Sequence, residues 1–122
     1  MNDTWEFKWT NHEMKGISWN NLYSSKHWST RKKLADNWHN FFASMMASYD
    51  KPEIDTFSVQ FNVNSRHDID NVGVMAKLFV DTLKGQGWIL EDSPKFFKKL
   101  TLESKKGELP SNTYQIILTK LT

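Results

Sequence analysis

A chain of 122 residues has room for one domain around a single core. Its composition, 39% hydrophobic and 25% charged with eight Phe and six Trp, is that of a globular protein whose interior is rich in rings. A net charge of +2 does not by itself mark a nucleic-acid binder, and the lack of Cys excludes disulfides and thiolate metal sites.

No apolar run approaches the length of a membrane span, and MNDTWEFKWTNHE lacks the basic-then-apolar pattern of a secretory signal. The expectation is a cytoplasmic protein without a membrane partner.

Thr4 to Thr10 alternates Trp5, Phe7 and Trp9 with Glu6 and Lys8, the pattern of a half-buried strand. Asn11 to Lys26 is polar and broken by Gly16, so it reads as a long loop; such loops are more often functional than idle. It carries Asn20, Asn21 and Tyr23, side chains suited to hydrogen bonding or stacking, with a surface loop anchored by Trp19 and Leu22 as the plain alternative. Ser29 or Thr30 is the expected cap of a helix running to about Tyr49, with Leu34, Trp38, Phe41, Met45 and Tyr49 as its apolar stripe. Arg31, Lys32 and Lys33 crowd its first turn, the wrong end for cations against the helix macrodipole, which leaves two readings: a use such as contact with a phosphate backbone, or a solvated start to a surface helix. Asp50-Lys51-Pro52 ends the helix.

Ile54 to Asn64 gives the cleanest strand pattern, with Phe57, Val59, Phe61 and Val63 on one side. Asp70 or Asn71 is the expected cap of a second helix whose buried face is Ile69, Val72, Ala76, Phe79 and Leu83. Lys84-Gly85-Gln86-Gly87 stops it. Trp88 to Leu90 reads as a short strand, Lys95 to Glu103 as a strand with interleaved lysines, Ser104 to Asn112 as a turn or hairpin loop, and Thr113 to Leu121 as a buried closing strand. The expected fold is α+β or mixed α/β: one domain over residues 1–122, with a small mixed sheet and two main helices.

Chemistry concentrates between Arg66 and Ser93. Asp68 and Asp70, one residue apart on an extended backbone, project to the same side, so both reach one hard cation. A third carboxylate, from Glu91-Asp92, would complete the oxygen-rich shell that Mg2+ prefers. Lys77 lies seven residues beyond Asp70, close to two helical turns, where it can hold a phosphate. Asp81, one turn further, makes an intrahelical ion pair the plain alternative for both. Helix capping is likewise an alternative account of Asp68 and Asp70.

The segments D-I-D-N from Asp68, K-x-x-x-D-x-L from Lys77 and G-W-x-L-E-D-S from Gly87 resemble the signature of the RusA family of Holliday junction resolvases, small dimeric endonucleases of bacteria and their prophages. Ser18 to Tyr23, S-W-N-N-x-Y, is similar to the Asn- and Tyr-bearing N-terminal loop of that family. The resemblance implies a RusA-like fold and a homodimer that cuts four-way DNA junctions in recombination and repair. Asp68, Asp70 and Asp92 would ligate Mg2+, with Mn2+ as a substitute. Lys77 would be the catalytic lysine at the phosphate, with Asp70 and Glu91 supporting the reaction. Arg66 falls where the family keeps basic residues for the DNA backbone, and Lys95, beside the acidic pair, would add to that surface.

The interval from Asn71 to Lys77 is about three residues longer than in the family, and an earlier helix start would keep Lys77 on the face of Asp70. Two other readings are a junction-binding protein of the same fold that does not cut, and a protein-interaction module built on Trp5, Trp9, Trp19 and Trp28.

Overall fold

A computed structural model describes residues 3–18, 28–66, 69 and 71–122. In chain order the elements are β1 (Thr4–Thr10), α1 (Trp28–Met46), β2 (Phe57–Asn64), α2 (Gly73–Gly85), β3 (Phe97–Ser104) and β4 (Thr113–Lys120). They form an α+β domain with one four-stranded mixed sheet of order β1-β4-β2-β3 and two helices. β4 runs antiparallel to both β1 and β2, whereas β3 runs parallel to β2. A parallel pair needs a crossover, and α2 supplies it.

The helices cover one sheet face. Trp5, Phe7 and Trp9 of β1, Phe57, Val59, Phe61 and Val63 of β2, and Tyr114, Ile116 and Leu118 of β4 are all buried there. Rings dominate the contact. Trp9 lies edge-on to Trp38 and Phe42 of α1 at 5.9 and 5.3 Å, and Phe79 of α2 meets Phe7 and Phe42 at 4.9 and 5.3 Å. Each such pair adds about 0.5–1.5 kcal/mol beyond the area it buries.

The opposite sheet face is polar and cross-linked. Gln115 donates to Glu6, Asn62 donates to Gln115 at 3.0 Å, and Gln60 donates to Asn62 at 2.9 Å and to Glu103 at 3.3 Å. These bonds tie all four strands together, and Asn62 is only 3% exposed.

Several elements differ from their sequence expectation. α1 begins at Trp28, so Ser29 and Thr30 lie inside it; it ends at Met46, with Ser48 and Tyr49 in a following turn. Its buried line is Trp38, Phe42 and Met46. Phe41 and Met45 are partly buried, while Tyr49 is exposed and donates its hydroxyl to the Glu6 carbonyl at 2.7 Å.

β2 starts at Phe57 rather than Ile54, which instead makes an isolated bridge to Ile89. That bridge is all that forms of the expected Trp88–Leu90 strand: Trp88 and Ile89 are buried, and Leu90 is exposed. Residues 105–112 do not close a hairpin, because β3 and β4 are not neighbours.

α2 starts later than expected. Val72 is its N-cap and makes no side-chain capping bond, so Asn71 lies ahead of the helix in a turn. Ahead of Lys77, Asn71 and Val72 are therefore turn, whereas Gly73 to Ala76 already belong to the helix. The buried surface of α2 is also wider than one stripe, taking in Val74, Met75, Leu78 and Val80 beside Ala76, Phe79 and Leu83, because sheet and α1 both cover it. At its end the amide of Gln86 reaches the Thr82 carbonyl at 2.8 Å and that of Trp88 reaches Leu83 at 2.9 Å, while Gly87 takes φ 78°, a conformation glycine adopts without steric cost.

Candidate active site

One face of α2 carries Gly73, Lys77 and Asp81 at successive four-residue steps. Opposite stand Leu100 and Leu102 of β3, and the connection from α2 to β3 adds Asp92. Together they line an open cavity of about 260 Å3. Its walls are mostly apolar, with Ala76, Val80 and Phe97 completing them, and its polar groups are Lys77, Asp81 and Asp92. Such an apolar setting with a few convergent charged groups is the usual form of a small reactive site. Gly73 permits the close approach: a Cβ there would sit 3.2 Å from Leu102 Cδ1.

The sequence separates Lys77 from Asp92 by most of α2 and the turn after it, yet both reach this cavity. Lys77 is 56% exposed in its side chain and lies 3.4 Å from Asp81. Asp92 is half-buried and has no ion-pair partner among the described residues. Glu91 is engaged elsewhere: its carboxylate binds Lys84 at 2.9 Å and accepts the Asp92 amide at 3.0 Å. Its bond to Lys84, reinforced by the Asp92 amide, lowers the Glu91 pKa to about 2, and the same contact raises that of Lys84. Glu91 is not among the residues lining the cavity.

Lys77 and Asp81 also form one wall of a second groove of about 290 Å3 between α1 and α2. Arg31 and Lys32 line its other wall together with His39. His39 Nε2 is buried without a hydrogen-bond partner among the described residues. Lys32 is held by Asp36 at 2.8 Å. The first-turn cations of α1 thus border the same groove as the α2 lysine, whereas exposed Lys33 lines neither cavity. Lys95 is exposed in the turn before β3, with its ammonium 5.6 Å from the Phe96 ring centre. Arg66 borders a separate polar cavity beyond the end of β2.

Asp68, Asp70, Asn20, Asn21 and Tyr23 lie outside the described residues. Among the described residues no three His, Cys, Asp or Glu side chains come together as a metal cluster. The cavity itself presents two carboxylates, Asp81 and Asp92, and no imidazole or sulfur, a donor chemistry suited to a hard cation such as Mg2+.

No family model matches the chain, and no curated protein matches it at a significant level.

Asp81 and the apolar wall of Leu100 and Leu102 are the parts of this site that sequence reading underrates. The four-residue spacing of Gly73, Lys77 and Asp81 was visible in the sequence. The approach of β3 was not, since it depends on a parallel pairing across α2.

Proposed function

We propose that the protein is a metal-dependent endonuclease that acts on branched DNA as a homodimer, cutting four-way junctions by phosphodiester hydrolysis. The observation that carries this reading is the shared cavity of Lys77 and Asp92, which opens beside the start of α2, immediately after the Asp68–Asp70 segment. A second support is that the groove next to it carries Arg31 and Lys32. Asp68, Asp70 and Asp92 would hold Mg2+, or Mn2+ in its place. When bound, the ion supplies Lewis-acid stabilisation of the phosphate and an activated water.

The protein's own groups divide the remaining work. Lys77 contacts the scissile phosphate, exchanging its exposed pairing with Asp81, worth only about 0–1 kcal/mol, for a more highly charged partner. Arg31 and Lys32 neutralise flanking phosphates, and Lys33, Arg66 and Lys95 with Asn20, Asn21 and Tyr23 extend the DNA surface. Glu91, anchored on Lys84, fixes the backbone from which Asp92 projects. A two-fold dimer fits a junction with two symmetric scissile strands.

One second reading is a junction-binding protein of the same fold that does not cut, motivated by the interval from Asn71 to Lys77, longer than in the RusA family, and by the start of α2 only at Gly73. Lys77→Gln separates the two. In an endonuclease it lowers junction cleavage by about 100-fold or more while binding measured in EDTA changes little. A non-cutting binder gives shifted junction bands with no nicks from either wild type or variant, in Mg2+ or Mn2+.

A further inference from the structure

Beyond the end of β2 the surface holds a second charged cavity, about 220 Å3, between the turn after β1 and the loop of residues 105–112. Its charged lining side chains are Lys15 and Arg66, with no carboxylate among the lining residues. Neither cation has an ion-pair partner among the described residues.

The floor is built rather than incidental. Asn11 Oδ1 accepts the Tyr114 hydroxyl at 2.7 Å and the Gly16 amide at 2.9 Å. Both bonds use the oxygen, so the orientation of the Asn11 amide is fixed with its Nδ2 left as a donor. Gly16 lies against Tyr114 so closely that a Cβ would fall 2.2 Å from the hydroxyl oxygen. The Asn11 backbone N–H donates to the Asn112 carbonyl at 3.0 Å, and the Lys105 backbone N–H to the Val63 carbonyl at 2.7 Å, which clamps the neighbouring loop to the end of β2.

A pocket that offers an ammonium, a guanidinium and an oriented amide donor, without a competing carboxylate among the described residues that line it, has the chemistry of an oxyanion site. We infer that Lys15, Arg66 and Asn11 form a subsite for one phosphodiester group of the nucleic-acid backbone, separate from the cavity of Lys77 and Asp92. Naming DNA as the polymer rests on the proposed endonuclease function; the anion chemistry of the pocket does not. In the sequence Arg66 lies two residues before Asp68. A phosphate contact of this kind sets register rather than sequence preference.

The test uses the full chain in EDTA, with thymidylyl-thymidine, which has one phosphodiester and no terminal phosphate, and inorganic phosphate as the comparison probe. In amide-resolved NMR titrations the dinucleotide produces saturable shifts centred on Gly16, Arg66 and Asn112. Lys15→Gln and Arg66→Gln each weaken its binding at least fivefold with an unchanged melting temperature, since both side chains are exposed. Binding to a four-way junction then loses about one unit of log–log salt slope per variant. Diffuse, unsaturable shifts, an unaltered salt slope, or binding of inorganic phosphate without the dinucleotide would overturn the subsite. Dinucleotide binding with no junction cleavage by wild type retains the subsite and removes the endonuclease reading instead.

Discussion

At position 77 the ammonium lies 3.4 Å from the Asp81 carboxylate, and the same lysine faces a cavity with Asp92. Surface pairs of this kind contribute little to stability, so the lysine remains available for another partner. Tyr114 is the opposite case, a side chain whose polar group is committed. Burial raises its pKa above the ordinary 10.0, although its bond to Asn11 acts the other way. A group whose folded pKa exceeds its unfolded value contributes stability that is fully present below the unfolded pKa and is lost as pH rises toward and through the folded one. Tyr114→Phe should therefore cost about 1 kcal/mol near neutral pH, from the lost hydrogen bond, and flatten the fall in stability above pH ~10. Urea unfolding of both proteins between pH 7 and 11 measures this; parallel declines would remove the buried hydroxyl as the cause. The sequence placed Tyr114 in a buried closing strand, but its partner Asn11 is 103 positions away, and no local pattern reports such a contact.

On the level of elements, β1 was legible because Trp5, Phe7 and Trp9 alternate with charged residues, and the bounds Thr4–Thr10 follow from that alternation. α1 was legible as a helix but not in its buried line, since aromatic and Met side chains at 41, 42, 45 and 46 leave two stripes almost equally apolar. In α2 the narrow expected stripe gave way to burial on several sides, which a helix crossing between parallel strands experiences. The pairing of β3 with β2 was beyond local pattern, and so was the polar network on the outer sheet face. That network makes a separate prediction. Asn62 both donates to Gln115 and accepts from Gln60 at 3% exposure, so Asn62→Ala leaves two amides short of a partner. The expected cost is about 1–3 kcal/mol, read from the midpoint of chemical unfolding, and a change within about 0.5 kcal/mol would mean that the network is ornamental to stability.

For the whole molecule, the aromatic core sets two helices on one sheet face, and the site forms where α2 passes the exposed edge strand β3. Of the charged residues singled out in the sequence, Lys77 and Asp92 stand at that cavity, Arg31 and Lys32 in the groove beside it, and Arg66 beyond the end of β2, where Lys15 joins it. Asp92, singled out in the sequence after a short apolar run, lines the cavity; the exclusion of Glu91 from it was not legible, because it depends on the position of Lys84 at the end of α2. Among the described residues no helix is long and apolar enough to cross a membrane. With a net charge of only +2, the proposed binding to DNA would rest on these local clusters, and its salt dependence would scale with the number of their phosphate contacts.

The most direct measurement is cleavage of an end-labelled four-way DNA junction by the purified chain at low salt, with Mg2+, with Mn2+ and with EDTA, beside the Asp70→Asn variant. Paired symmetric nicks in Mg2+, none in EDTA, and a loss of at least 100-fold in the variant are the predicted result. An intact junction in both metals, or wild-type nicking by Asp70→Asn, would contradict the assignment.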